Sequence, residues 1–190
     1  MAFVVVYDAC VLYPAPLRDL LVRLARTGLF RAQWTELILD ECFRNILANR
    51  PDLRPEALVR TRELMIKAVP DCLVTGHESL IDGLDLPDPD DRHVLAAAIR
   101  AAAQVIITAN LADFPADKLK SYGVEAIHPD DFVLDLLDLA PGAVASVVVD
   151  QAAGLKNPPR TIADLLDTLR EQGLVRSVAK LRELLGTLAD

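Results

Sequence analysis

The sequence predicts an α/β fold with a central, mainly parallel sheet flanked by helices, followed by a helical C-terminal extension. Apolar, β-branched segments of strand length, such as residues 3–7 and 104–108, alternate with segments whose apolar residues recur at helical spacing. A strand that is apolar on both faces is typical of a parallel sheet covered by helices. From His128 onward only helical segments follow. We therefore expect a first domain over residues 1–132 and a helical extension over residues 133–190.

The individual elements are predicted from periodicity and from the residues at their ends. Thr35 is a suitable N-cap for a helix over residues 36–48, and Pro55 suits the first turn of the next helix. The alanine-rich segment after the acidic, proline-containing loop predicts a helix over residues 91–103. Further strands are expected at residues 30–34, 72–75 and 124–127, and further helices at residues 17–25, 79–84, 132–140, 143–153, 162–171 and 175–188.

Composition limits the classes of protein to which the chain can belong. Although 52% of its residues are hydrophobic, no apolar run reaches the roughly 18 residues of a membrane span. The N-terminus lacks the basic segment and cleavage site of a secretory signal, so we expect a soluble, cytoplasmic protein. Cys10, Cys42 and Cys72 are odd in number and far apart, which indicates buried free thiols rather than disulfides or a zinc site.

The charge of the chain bears on nucleic-acid binding. The formal net charge is −8, whereas proteins that bind through phosphate contacts are usually basic. The negative charge counts less against nucleic-acid binding if several acids form a metal site, because a bound cation reverses the local charge.

Four carboxylates stand where an α/β sheet places its ligands, beyond the carboxyl ends of the strands. Asp8 ends the first strand, Glu41 lies on the helix after the second, Asp91 opens a helix, and Asp113 follows the strand that ends at Thr108. If the fold brings them together, their repulsion favours a hard divalent cation such as Mg²⁺ or Mn²⁺. Such an ion activates water and stabilises charge on phosphoryl oxygens, which is the chemistry of phosphodiester hydrolysis.

Each acid also has a structural alternative. Asp8 could start a turn, Asp91 or its neighbour could cap a helix, Glu41 could pair with Arg44 in solvent, and Asp113 could stabilise a turn. The sequence contains no nucleophile elbow, Walker loop or glycine-rich dinucleotide motif. The prediction of a metal site therefore depends on the four acids together.

Four motifs, in this order along residues 3–132, resemble the PIN-domain family and, within it, the VapC-type toxins of type II toxin–antitoxin pairs. The resemblance implies a PIN-like three-layer fold and a Mg²⁺- or Mn²⁺-dependent endoribonuclease. It also implies an RNA substrate, a cognate antitoxin protein as partner, and a homodimer. The motifs are Val-Val-Val-Tyr-Asp8, Leu39-Asp-Glu41-Cys-Phe-Arg44-Asn-Ile, Asp88-Pro-Asp-Asp91-Arg-His-Val-Leu-Ala-Ala-Ala and Thr108-Ala-Asn110-Leu-Ala-Asp113-Phe114.

The resemblance implies that Asp8, Glu41, Asp91 and a fourth acid are both the catalytic and the metal-binding residues. Some relatives carry an aspartate where this chain has Asn110, and others use the acid before the phenylalanine, here Asp113. We favour Asp113, since asparagine supplies no charge.

Several neighbouring residues are candidates for supporting roles. The candidate substrate-binding residues are Thr108, Asn110 and Arg92. Thr108 could instead bond an acid, and Arg92 could bind a phosphate or remain a solvated first-turn residue. Asp88 and Asp90 remain alternatives to the fourth acid and could serve a second, weaker ion.

Other residues near the motifs have less specific interpretations. We interpret His93 as a partly buried structural residue rather than a proton shuttle, and Trp34 as a core residue rather than a base-stacking one. A loose group of basic residues is a candidate RNA-facing rim: Arg18, Arg23, Arg26, Arg31, Arg44 and Arg50.

Three rival functions can be compared with the same residues. A haloacid-dehalogenase-like phosphatase needs a second aspartate where this chain has Cys10, and a receiver domain needs an acidic pair and a lysine that are not in register. An inactive PIN-like scaffold, binding RNA or a protein partner without cleavage, would differ only at the acids. Because all of the acids are present, the sequence favours the enzyme.

Overall fold

A four-stranded parallel sheet forms the centre of the computed structural model, which describes residues 3–187. The strand order is β2-β1-β3-β4, and every neighbouring pair is parallel. Because the strands are parallel, all four carboxyl ends meet at one edge of the sheet. The strands are β1 (Val4–Tyr7), β2 (Arg31–Gln33), β3 (Val105–Ile107) and β4 (Glu125–Ile127).

Eleven α-helices surround the sheet within the described part of the chain. None of them, over residues 3–187, is long and apolar enough to cross a membrane. Single 3₁₀ turns lie at Pro89–Asp91, Leu111–Asp113 and Lys120–Tyr122. The α-helices are α1 (Ala9–Leu12), α2 (Ala15–Ala25), α3 (Glu36–Asn49), α4 (Pro55–Ala68), α5 (Glu78–Ile81), α6 (Arg92–Arg100), α7 (Ala116–Leu119), α8 (Pro129–Leu139), α9 (Pro141–Gly154), α10 (Ile162–Glu171) and α11 (Val175–Thr187).

The architecture confirms the predicted fold class of a parallel α/β sheet with a helical C-terminal extension. The central strands are buried on both faces, and Val5, Val6 and Tyr7 are fully inaccessible. Thr35 caps α3 as predicted, since its side chain accepts a hydrogen bond from the Ile38 amide at 3.1 Å.

Two local predictions were wrong. The expected strand at residues 72–75 is a single bridge between Leu73 and Trp34, because the chain turns away at Gly76 with φ +74°. The alanine-rich helix ends at Arg100 rather than residue 103, since Ala102 adopts φ +49°, which is outside the helical region. The same helix is preceded by a 3₁₀ turn at Pro89–Asp91.

The C-terminal helices share the hydrophobic core of the sheet domain. Phe132 of α8 packs edge-on against Phe30 with ring centroids 4.9 Å apart, and both side chains are buried. The predicted boundary between residues 132 and 133 falls inside α8 and stays a prediction. The last predicted helix runs to residue 188, which lies outside the described residues.

A carboxylate from α8 caps the last helix. The residue before α11, Leu174, offers no side-chain acceptor, and Asp130 supplies one from 46 residues away. Its two oxygens accept hydrogen bonds from the backbone amides of Arg176 (2.9 Å) and Ser177 (2.8 Å). Burial raises the pKa of Asp130, but these hydrogen bonds outweigh it and hold the pKa below its ordinary value.

We expect Asp130→Asn to lower the free energy of unfolding by about 2 kcal/mol, measured by urea denaturation at pH 7. The asparagine amide would place a donor against one of the two backbone donors. The pKa of Asp130 is lower in the folded protein than in the unfolded chain. The ionised side chain therefore stabilises the fold fully at a pH above the unfolded-state pKa. This stabilisation is lost as the pH falls through the folded-state pKa. The difference between wild type and variant should therefore shrink below about pH 4.

The neighbouring Asp131→Asn is the matched control for this variant. Asp131 forms only a surface ion pair with Arg176, and both side chains are at least half exposed. Its loss should cost less than about 1 kcal/mol. Equal destabilisation by the two variants would contradict the capping role of Asp130.

Candidate functional site

Asp8 begins the site at the carboxyl end of β1, where its side chain is only 4% exposed. Its Oδ2 accepts a hydrogen bond from the Thr108 hydroxyl at 2.7 Å and from the Cys10 thiol at 3.0 Å. Burial raises the pKa of Asp8, and so does the charge of Glu41, while the two hydrogen bonds oppose that rise. The net direction is upward, so the carboxylate is held in a site that disfavours its charge.

Thr108 and Cys10 tie Asp8 to the loop after β3. The Thr108 hydroxyl also accepts from the Asn110 amide at 3.0 Å, and the Cys10 sulfur accepts from the Ala109 amide at 3.3 Å. Of the two roles left open for Thr108, the structure shows the hydrogen bond to an acid. Burial raises the pKa of the Cys10 thiol to about 12, so this group is protonated at neutral pH and can donate.

The three cysteines divide between the core and the site. Cys42 and Cys72 are buried free thiols, as expected. Cys10 is only half buried and contacts Asp8, a role that the sequence analysis missed. The available signal was its position two residues after Asp8 at the end of a strand.

A second group of acids lies across the same edge of the sheet. Single oxygens of Asp88, Asp91 and Asp113 all lie within 4.8 Å of one another. Asp88 also accepts a hydrogen bond from the Asp90 amide at 2.9 Å, and Asp113 accepts one from the Asn110 side-chain amide. The structure thus brings the predicted Asp91 and Asp113 together and adds Asp88.

The two groups of acids share one electrostatic environment. Burial, the largest cause, and the charges of Asp8, Asp88, Asp113 and Glu41 together raise the pKa of Asp91 to about 7. Asp8 and Glu41 do not belong to the 4.8 Å group, which is the one such group found among the described residues. In this structure the predicted acids therefore occupy one edge of the sheet but extend beyond a single coordination sphere.

Glu41 has a different partner from the one considered in the sequence analysis. Its Oε2 lies 3.1 Å from Nε2 of His93, not against the solvated Arg44. The two residues come from α3 and α6 and are 52 positions apart, so local spacing carried no signal of this contact.

The residues predicted to surround the site differ in their burial and in the hydrogen bonds that they already make within the chain. Trp34 is fully buried and stacks on Tyr7 with ring centroids 6.0 Å apart, which confirms its place in the core. Arg18 donates to the backbone carbonyl of Leu12 at 2.7 Å and so supports the end of α1. Arg92 is half buried, and its Nε has no hydrogen-bond partner within residues 3–187.

The remaining predicted rim residues include two with salt-bridge partners: Arg23 pairs with Asp19, and Arg50 pairs with Asp52. Part of the predicted basic rim is therefore engaged in contacts within the chain.

A polar cleft opens beside Glu41. Its volume is about 290 Å³, and its walls carry the Tyr13 ring and the side chains of Asn45 and Asn49. No basic residue lines this cleft. It can therefore accept a neutral group next to the acids.

The donor set of the Asp88, Asp91 and Asp113 group fits a hard divalent cation. All of its potential ligands are carboxylate oxygens, which Mg²⁺ and Mn²⁺ prefer, and it contains no histidine or cysteine. A cation would also relieve the repulsion that raises the pKa of Asp91.

Two family models match the chain. One, described as a PIN domain, matches residues 4–112, which is more than half of the 190 residues. The other, described as the VapC50 C-terminal domain, matches residues 129–183. The chain therefore belongs to the PIN domain family, and the resemblance seen in its four motifs is confirmed.

A curated relative from Mycobacterium tuberculosis carries the name Putative ribonuclease VapC50. It is 50% identical to this chain over 94 residues, which cover 50% of this chain and 55% of the relative. The chain thus spans about half the length of the curated protein that it matches. No solved structure matches the chain significantly.

We expect Asp91→Asn to raise the melting temperature of the chelator-treated protein by about 3–6 °C, because it removes one of several repelling charges. Differential scanning calorimetry in EDTA measures this. The matched control is Glu63→Gln on α4, an exposed carboxylate outside the site, which should leave the melting temperature unchanged within about 1 °C. A lower melting temperature for Asp91→Asn would show that the acid stabilises the fold, which contradicts a net repulsion among these carboxylates.

Proposed function

We propose that this chain is a divalent-metal-dependent endoribonuclease of the VapC type, and the toxin of a type II toxin–antitoxin pair. The observation that carries the proposal is the concentration of acids at the carboxyl edge of a PIN-domain sheet, with Asp91 next to Asp88 and Asp113. The relative from M. tuberculosis is named as a ribonuclease, which supports the same activity.

The residues that would hold the ion are Asp8, Glu41, Asp91 and Asp113, joined by Asp88. When bound, a Mg²⁺ or Mn²⁺ ion supplies positive charge for the phosphoryl oxygens and activates a water molecule for attack. Waters in its coordination shell would allow acids that extend beyond one sphere to contribute.

The chain's own groups keep these acids in place. The Thr108 hydroxyl and the Cys10 thiol hold one oxygen of Asp8, so its orientation is set before substrate binds. Asn110 donates to Asp113 from its side chain and to Thr108 from its backbone, and so joins the two groups of acids. Such preorganisation reduces the rearrangement needed during the reaction.

The cleft beside Glu41 suits a nucleotide next to the bond that is cut. Apart from Glu41, its lining is uncharged, and its tyrosine and asparagines offer stacking and hydrogen bonding without phosphate contacts. Arg92 is the candidate for the phosphate, because it directly follows Asp91 in the sequence and its Nε has no hydrogen-bond partner among residues 3–187. With a net charge of −8, the protein would depend on the bound cation rather than on a basic surface to attract RNA.

We also propose the wider setting implied by the family: a cytoplasmic homodimer inhibited by a cognate antitoxin protein. Residues 1–132 would form the nuclease domain and residues 133–190 the helical extension. The match of residues 129–183 to the VapC50 C-terminal domain supports an extension shared with that relative.

We expect Asp8→Asn to reduce RNA cleavage at least about a hundredfold with the fold intact, because the variant removes a ligand charge. Cleavage of a labelled RNA, followed by gel electrophoresis, measures this, with circular dichroism as the test of folding. EDTA should stop the wild-type reaction, and Mg²⁺ or Mn²⁺ should restore it. Glu63→Gln serves as the control and should retain full activity. Cleavage that persists in EDTA, or in Asp8→Asn, would exclude the proposed mechanism.

Expression in bacteria without an antitoxin tests the proposed toxicity. We expect the wild-type protein to arrest growth, and Asp91→Asn, produced at an equal level, to be harmless. Colony counts after induction give the comparison. If cells tolerate a wild-type protein that cleaves RNA in vitro, the toxin assignment fails while the nuclease assignment stands.

A further inference from the structure

We propose that His93 is a positioning residue that orients Glu41 toward the bound cation, an inference that rests on the proposed metal-dependent function. The Nε2 atom of His93 lies 3.1 Å from Oε2 of Glu41. The side chains are 13% and 28% exposed, so the contact is largely shielded from water. Glu41 lies on α3, and His93 lies on α6, the helix that begins directly after Asp91. The hydrogen bond therefore also links these two helices.

The direction of this hydrogen bond is settled by its chemistry. An ionised carboxylate can only accept, so Nε2 of His93 donates whether the imidazole is the neutral Nε2–H tautomer or the imidazolium. The donor occupies Oε2, and Oε1 of Glu41 has no hydrogen-bond partner among residues 3–187. Glu41 also lines the cleft. One oxygen is therefore held and the other is available to a cation.

The rest of the His93 ring argues against a purely structural role. Its Nδ1 atom is buried and has no hydrogen-bond partner within the described chain. A buried polar atom without a partner costs stability, so an apolar side chain of similar size would suit the packing better. Within residues 3–187, the one hydrogen bond that the ring makes is with Glu41. Substituting a residue that hydrogen-bonds to a metal ligand typically lowers the metal affinity by about 10- to 100-fold.

Two substitutions separate positioning from packing. His93→Leu fills the space and removes the donor, whereas His93→Gln can return an amide N–H close to the position of Nε2. Mn²⁺ affinity is measured on the full chain by electron paramagnetic resonance, without RNA, alongside melting temperature and kcat. We expect His93→Leu to weaken Mn²⁺ binding about tenfold and to lower kcat, with an unchanged or higher melting temperature. His93→Gln should stay within about threefold of wild type.

Glu41→Gln sets the upper limit for the loss of Mn²⁺ affinity in the His93 variants, because His93 acts through Glu41. A larger loss of Mn²⁺ affinity in His93→Leu than in Glu41→Gln would overturn the inference. So would wild-type affinity in His93→Leu, or equal losses in the leucine and glutamine variants. If the wild-type protein itself binds no Mn²⁺, the proposed metal-dependent function fails, and the positioning role fails with it.

Discussion

Repulsion among carboxylates at the carboxyl edge of the sheet opposes folding, and the remainder of the molecule has to offset it. Four parallel strands bring their carboxyl ends together, and five acids from four segments of the chain lie near that edge: Asp8, Glu41, Asp88, Asp91 and Asp113. The pKa of Asp91 rises to about 7, which shows how strongly burial and neighbouring charges disfavour one more ionised group there. A fold that tolerates this must be stabilised elsewhere.

The stabilisation comes from a core that continues beyond the sheet domain. Val5, Val6 and Tyr7 of β1 and Ile106 and Ile107 of β3 are fully buried, and the C-terminal helices pack into the same hydrophobic cluster. Asp130 shows the opposite use of a carboxylate, since two backbone donors satisfy its charge and hold its pKa low. Natural proteins often combine a stable core with a destabilised functional site, because the site is built for its ligand rather than for the empty fold.

The same constraint explains how an acidic chain could act on RNA. A divalent cation would neutralise the acids, hold them together and present positive charge to a phosphate, so the protein would not need a strongly basic surface. The cleft that Glu41 lines has no basic residue among its described lining residues. This agrees with the proposal that phosphate would meet the metal site and that an uncharged group would enter the cleft. His93 would then orient Glu41, which borders both the metal site and the cleft.

Periodicity, caps and strand ends were enough to predict the parallel α/β class, most helices and strands, and the positions of the acids along them. It also indicated the PIN family through four motifs. Which side chains from distant segments meet is visible only in the packed fold: Thr108 on Asp8, His93 on Glu41, and Asp113 beside Asp91. The physical reason is that local spacing sets which face of an element a residue occupies. The partner across that face depends on how distant elements pack.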